Sequence, residues 1–342
     1  MHKKKQQSAL QMRMHQLIFS ACVPRLIQIA ARLGIADLLV DGPKTPAALA
    51  RQLKVQPAHL ARMLRTLASV GLFAEGAGGR FRLTPLARTL CTDGPNSLNH
   101  WARVSNNPFA WKAFGDLEYA LTTGGRPFDH VHGLSLFEYL QQNPAKERGF
   151  SQAMASLSVT NNNAVARAYP FGRFARIVDV GGAHGHLLAT VLRRFRRIEG
   201  VLYDQPQVIA KAAESGFITA ADVRDRCETV GGDFFEGVPH GADAYLVKHV
   251  IHDWDDDQSV RLLRNCRDAL APGGRVLVIE HVISKGNGPD IGKLMDITMM
   301  AVTGGMERTA EEFRGLLTRA KLKFTRVIPT SSLVSIVEAV KS

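Results

Sequence analysis

From Arg176 onward the sequence alternates short apolar runs with amphipathic segments, and that order restricts this part of the chain to a parallel sheet covered by helices on both faces. The runs at 177–180, 200–203, 244–248 and 275–280 predict strands, and one more is expected just before Gly232. The stretches at 187–195, 208–215 and 256–270 read as helices. The last of these opens on Asp255, Asp256 and Asp257, acidic residues that suit the positive end of a helix dipole. Two final strands, near 323–329 and 333–338, are expected to form an antiparallel pair at the sheet edge.

The first half reads differently. Residues 9–40 place Leu17, Ile18, Cys22, Leu26, Ile27 and Ala30 at helical spacing. Thr45 opens a short helix that runs to Leu53, and Pro57 opens another that runs to Val70 with Leu60, Met63, Leu64 and Leu67 on one face. Two strands at 72–74 and 80–83 then flank a glycine-rich tip. Helix, helix, hairpin in this order is a winged-helix pattern. Residues 97–170 return to helix. The expected organisation is a winged-helix domain at 1–100, a helical linker at 101–170 and an α/β domain at 171–342.

With 342 residues the chain exceeds what one core usually holds. Hydrophobic residues make up 45% and charged residues 22%, and no run approaches the roughly 18 apolar residues of a membrane span. The basic start Met1-His2-Lys3-Lys4-Lys5 leads into polar Gln6, Gln7 and Ser8, with no apolar signal core, so a cytoplasmic protein with no membrane partner is expected. Cys22, Cys91, Cys227 and Cys266 lack metal-site spacing and read as small buried residues. The net charge of +12 raises the question of nucleic acid, but the cations (Arg62, Arg65, Arg193, Arg194, Arg196, Arg197) are dispersed on helix faces, as on a solvated surface.

The segment Asp179-Val180-Gly181-Gly182-Ala183-His184-Gly185 lies between a buried strand and a helix, where doubly wound sheets bind ligands. A glycine turn can be merely structural. The dinucleotide fingerprint fails from Gly181, where Ala183 and His186 occupy its later glycine positions, and from Gly182, where His184 and Leu187 do; the P-loop Lys-Ser/Thr pair is also missing. The turn therefore suits a ligand without phosphates, pressed against bare backbone. Asp204, after the second strand, either accepts hydrogen bonds from two ribose hydroxyls or caps the helix that follows Pro206. After the third strand, Asp233 is placed to bond an adenine amino group and Phe234 to cover the ring. A phosphate-free nucleoside beside a glycine turn describes S-adenosylmethionine, with S-adenosylhomocysteine as product. The candidate cofactor residues are Asp179, Gly181, Gly182, Gly185, Asp204, Gln205, Gly232, Asp233, Phe234 and Lys248.

Five motifs in order carry a family resemblance: this turn, Tyr203-Asp204-Gln205-Pro206, Gly232-Asp233-Phe234-Phe235, Lys248-His249-Val250-Ile251-His252-Asp253-Trp254, and Gly304-Gly305-Met306-Glu307-Arg308-Thr309. Over nearly its whole length the chain resembles the small-molecule O-methyltransferases, such as caffeic-acid-type, acetylserotonin-type and bacterial polyketide or phenazine tailoring enzymes. The resemblance implies a Rossmann-like class I methyltransferase sheet and an N-terminal winged-helix dimerisation domain. In such a homodimer, swapped N-terminal helices close the partner's active site. It implies His252 as general base, with Glu280 and Glu307 as the carboxylates that orient it. It implies cofactor contacts at Gly181, Asp204, Asp233, Phe234 and Lys248, a role for Asp253 in holding the acceptor, and a pocket lined by Phe150, Met154 and Met299. Met295 and Met300 join that pocket if the methionines grip a flat ring and do not simply fill the core. His184, His186 and His249 read as structural. One departure is Ala183, where the family usually carries glycine; its methyl is expected to shift the cofactor slightly without abolishing binding.

The chemistry agrees with the resemblance. A sulfonium methyl is already an activated electrophile, so no metal is required. The protein must align an acceptor oxygen and remove its proton. Phenols ionise near pH 10 and histidine near 6.5, and a carboxylate on the other ring nitrogen fixes the tautomer and stabilises the imidazolium. The expected acceptor is a small aromatic or heteroaromatic natural product. Alternatives are N-methylation of a small heteroaromatic and a winged-helix DNA-binding regulator using 45–84. No nucleic-acid partner is expected: a gel-shift assay at physiological salt should show no specific nanomolar DNA complex, and finding one would reverse that choice.

Overall fold

The computed structural model describes residues 2–94 and 97–342, with side chains from Gln6 onward. It divides into two compact units. One comprises the chain up to Lys112 together with Phe137–Leu157; the other comprises Ala113–Leu136 and Ser158–Ser342. The sheet-bearing unit thus takes in 113–136, a stretch the sequence reading groups with the helical linker.

The helical unit has its own core. Thr45 caps the helix Pro46–Leu53 by accepting a hydrogen bond from the Ala48 amide at 3.2 Å, and Pro57 starts the helix Pro57–Ser69. Leu60, Leu64 and Leu67 recur at helical spacing and are buried. They pack in one cluster with Leu49, Phe73 and Phe81. Phe73 and Phe81 come from strands β1 (Phe73–Gly76) and β2 (Arg80–Leu83), an antiparallel hairpin that completes the winged-helix pattern. The helix His2–Phe19 leaves Leu10, Leu17, Ile18 and Phe19 exposed. Among the described residues no helix is long and apolar enough to cross a membrane.

The second unit is built on seven strands: β3 (Arg176–Val180), β4 (Glu199–Asp204), β5 (Cys227–Gly231), β6 (Ala242–Lys248), β7 (Leu270–Glu280), then β10 (Leu322–Pro329) and β11 (Ser335–Lys341). The short strands β8 (Val282–Ile283) and β9 (Arg308–Thr309) pair separately, in parallel. Strand order in the large sheet is β10-β11-β7-β6-β3-β4-β5. Strands β3 to β7 are parallel; the apolar runs of β3, β4 and β6 are buried, whereas the edge strand β5 is largely exposed. From β3 the chain winds outward through β4 and β5, then crosses to β6 on the other side. That reversal between β3 and β6 creates the crevice where such sheets bind ligands.

The closing hairpin lies where it is expected: β10 and β11 pair antiparallel at one edge of the sheet, with β10 outermost. β11 runs antiparallel to β7 as well, so Ile336, Val337 and Ala339 are fully buried. An alternating apolar strand fits an edge or an interior position equally well, and sequence spacing does not separate the two.

Leu246 lies mid-β6 at the sheet centre and is fully buried between helices of one face. Leu246→Ala should lower unfolding free energy by about 2–5 kcal/mol. The check is the urea midpoint at unchanged m-value; an unshifted midpoint would contradict this placement.

Candidate active site

The carboxyl ends of β3, β4, β5 and β6 lie along one edge of the crevice. After β3 the backbone turns at Gly181 (φ +67) and Gly185 (φ +76), and the helix His186–Arg194 begins. A β-carbon at Gly181 would come within 2.7 Å of Val250, one at Gly182 within 2.5 Å of Leu202 and 2.8 Å of Asp179, and one at Gly185 within 2.4 Å of Ile218. This modifies the sequence reading. The need for glycine comes first from the protein's own side chains packed under the turn, and only the remaining backbone face is open to a ligand. Gly232 has a similar cause: a β-carbon there would lie 2.4 Å from the Tyr203 hydroxyl.

Asp204 is half-buried at the end of β4. Its carboxylate accepts from the Ala183 amide at 2.8 Å and from the Gln205 amide at 2.7 Å. Gln205, whose side chain makes no cap bond, occupies the N-cap of the next helix, so the capping alternative for Asp204 is not realised. Two carboxylate oxygens offer about four acceptor sites, so roughly two remain for hydroxyl donors. Asp233 is exposed beyond β5, and one of its oxygens accepts from the Phe235 amide at 2.8 Å. Phe234 packs edge-on against Phe235 and Trp254. Beneath the turn, Asp179 is buried and burial pushes its carboxyl up to about 7; Oδ2 has no hydrogen-bond partner among the described residues. Lys248, at the end of β6, donates to Ser158 at 3.0 Å, and burial lowers its ammonium. Two carboxylates at adjacent strand ends, an orphaned buried oxygen and an open backbone turn suit a ribose and a cationic sulfonium, and they suit phosphate poorly.

His252 sits on the single 3-10 turn Ile251–Asp253 that follows β6. Its Nδ1 lies 3.2 Å from Glu307 Oε1 and 3.5 Å from Glu280 Oε2, and its Nε2 is 3.8 Å from Asp253 Oδ2. Both glutamate side chains are fully buried, and the imidazole is nearly so. Glu280 ends β7, and its Oε1 accepts from the amides of Val250 (3.0 Å) and Ile251 (3.1 Å), so the same carboxylate caps the turn and faces the ring. Glu307 precedes β9, whose pairing with β8 sets it beside the end of β7, and its amide donates to Asp296 at 2.9 Å.

Burial alone would lower the His252 imidazole, but Glu280, Glu307 and Asp253 together outweigh it and push it up to about 9. For Glu307, burial would raise the carboxyl, but bonds to His252 and His281 carry it down to about 2. Burial raises Glu280 and Asp253.

Three further residues belong to this centre. His249, read from sequence as structural, has Nδ1 3.2 Å from Glu280 Oε2, and His281 has Nδ1 3.1 Å from Glu307 Oε1. The Arg308 guanidinium is buried and clamps the turn: it donates to the Ile251 carbonyl at 3.1 Å, the Trp254 carbonyl at 2.9 Å and Asp256 at 2.9 Å. Sequence spacing hides the two histidines because β6 and β7 end just before them, and strand alternation no longer says which way a side chain points. Gly305 is required at the same place, since a β-carbon would fall 2.0 Å from the His252 carbonyl oxygen.

The expected acceptor residues divide between the units. Met299 is buried, and Met295 and Met300 are half-buried, on the helix Ile291–Val302 of the sheet-bearing unit, against which the helix Pro127–His132 packs. Phe150 and Met154 are half-buried on Pro144–Ala168, within the helical unit.

Comparisons with known proteins show the family. Residues 114–323 match the family profile described as an O-methyltransferase domain, and residues 15–93 match the O-methyltransferase dimerisation domain. The chain is 39% identical to the phenazine O-methyltransferase PhzM of Lysobacter antibioticus, covering 95% of this chain and 94% of that protein. It is 38% identical to a mitomycin biosynthesis 6-O-methyltransferase of Streptomyces lavendulae, covering 92% and 90%. Its structure is similar to that of CalO1, a methyltransferase in calicheamicin biosynthesis solved with S-adenosylhomocysteine (TM-score 0.89, 36% identity, 98% of each chain).

Ala183 holds φ +50, a left-handed conformation that costs a β-carbon about 1–2 kcal/mol. Ala183→Gly should therefore raise unfolding free energy by about 1 kcal/mol and keep the amide bond to Asp204. Urea denaturation of the two proteins measures this, and an equal or lower midpoint in the variant would show the strain to be absent.

Proposed function

On the premise that this chain belongs to the O-methyltransferase family, we propose that it methylates a hydroxyl of a small aromatic or heteroaromatic natural product, with S-adenosylmethionine as donor and His252 as general base. The observation that carries the base role is the His252 imidazole held at Nδ1 by two buried carboxylates, at the ligand-binding edge of the sheet.

Bound S-adenosylmethionine supplies a methyl group already activated on a sulfonium. The residues suited to hold it are the turn at 181–185, Asp204 and Gln205 toward the ribose, Gly232, Asp233 and Phe234 toward the adenine, and Asp179 and Lys248 beneath. His252 accepts the acceptor's hydroxyl proton at Nε2. Glu280 and Glu307 keep the other ring proton on Nδ1 and stabilise the positive charge the ring acquires. Arg308 and Glu280 hold the turn, so the imidazole does not swing away while it waits. Asp253, Met295, Met299 and Met300 are the residues of the sheet-bearing unit suited to line the acceptor side.

Oxygen is favoured over nitrogen as acceptor atom for a chemical reason. A hydroxyl becomes a good nucleophile by losing its proton, whereas a neutral amine attacks with a lone pair it already has. A carboxylate-backed imidazole is needed in the first case. The protein acts as a homodimer through the helical unit; the match to the dimerisation domain and the exposed apolar residues of His2–Phe19 support this.

His252→Ala should still bind S-adenosylmethionine in calorimetry and lose about 10²–10⁴-fold in turnover with a phenol that is un-ionised at neutral pH. A panel of phenols and N-hydroxy heteroaromatics with labelled methyl donor provides the assay. Acceptors already ionised at that pH should lose less. Undiminished turnover with the un-ionised phenol would remove His252 from the base role.

A further inference from the structure

We propose that His249, His252 and Glu280 form an inhibitory binding site for a zinc-like divalent ion. The inhibitory part rests on the base role given above to His252; the site itself does not.

Zinc sits about 2.0–2.1 Å from an imidazole nitrogen and about 2.0–2.2 Å from a carboxylate oxygen, usually with tetrahedral angles. Two such ligands are then about 3.3 Å apart. Glu280 Oε2 is 3.2 Å from His249 Nδ1 and 3.5 Å from His252 Nδ1, so two edges of the required triangle are already near that length. One ligand atom from each of the three side chains lies within 4.8 Å of the other two. The two imidazole rings face each other at 5.2 Å between centroids and 29° between planes. Two imidazoles and one carboxylate suit zinc or cobalt(II), and they suit magnesium or calcium poorly.

One further feature points the same way. Glu307 is fully buried beside His252, and its Oε2 has no hydrogen-bond partner among the described residues. An unsatisfied anionic oxygen at this spot is suited to an ion or to its bound water. His249 holds φ +52, a left-handed conformation that histidine and asparagine adopt more readily than most residues. The His249 side chain retains 25% exposure, so solvent reaches it.

The consequence follows from tautomer chemistry. A neutral imidazole has one ring proton. An ion on Nδ1 of His252 requires that proton to sit on Nε2, the nitrogen that must accept the acceptor's proton. Bound zinc therefore silences the base without displacing any residue from the crevice.

The test uses the full chain after chelator treatment. His249→Asn and His249→Gln remove one ligand; asparagine also tolerates the left-handed backbone. Far-UV circular dichroism and S-adenosylmethionine binding serve as the variants' folding control, and inhibition is read in each protein as the ratio of its turnover with zinc to its turnover in chelator-treated buffer. Zinc titration by calorimetry should give one ion per wild-type chain. Cobalt(II) should develop tetrahedral visible absorption bands in the wild type. Both variants should bind at least about tenfold more weakly, with zinc inhibition weakened in parallel. An absent wild-type site, or equal binding in the variants, would overturn the site and leave the base role untouched. Zinc bound through His249 with turnover unchanged would overturn the inhibitory role, while the His252→Ala assay judges the base role separately.

Discussion

The buried carboxylate of Glu280 is the point on which the rest of the centre depends. A charge taken out of water is tolerated only when its oxygens are fully engaged. Here one oxygen takes the amides of Val250 and Ile251, and the other takes imidazole nitrogens from His249 and His252. The turn after β6 therefore has its conformation set by a residue at the end of β7. These strands are adjacent and parallel, so both ends reach the same edge of the sheet. Removing that carboxylate would free the turn's amides and unpin the base together.

A second layer holds the arrangement from the other side. The β8–β9 pair brings the segment carrying Glu307 and Arg308 alongside the end of β7. Glu307 then reaches His252 and His281, and Arg308 ties the carbonyls of Ile251 and Trp254 to Asp256. The tight approach of Gly305 to the His252 carbonyl follows from the same fit. Three imidazoles and two carboxylates share a small buried volume. Their protonation is consequently collective: Glu307 is driven down by the imidazoles it bridges, while His252 is driven up by its carboxylates. A restricted tautomer and a fixed ring are properties a base for a weakly acidic hydroxyl requires.

The cofactor side is governed by packing as much as by recognition. Gly181, Gly182 and Gly185 leave room for Val250, Leu202, Asp179 and Ile218 under the turn. Val250 belongs to the turn that carries the base, so the glycine turn and the base are in contact through that side chain. A disturbance on one side of the crevice is thereby felt on the other. Ala183, strained in the left-handed region yet bonded to Asp204, marks a place where this chain keeps the turn geometry without a glycine.

Much was determined by sequence alone. The alternation after Arg176 dictated a parallel α/β sheet, because apolar runs of strand length must be buried on both faces. Thr45, Pro46 and Pro57 set the helix starts of the winged-helix part by local capping, which needs no distant partner. The motifs around Gly181, His252 and Glu307 pointed to the chemistry, because residue type and spacing carry it. Tertiary structure alone decided what spacing cannot express. It placed β11 inside the sheet, excluded Asp204 as a helix cap, and drew His249, His281 and Arg308 into the centre. Each of these depends on how strand ends separated by tens of residues meet, and such meetings are set by packing of the whole sheet, which no local pattern encodes.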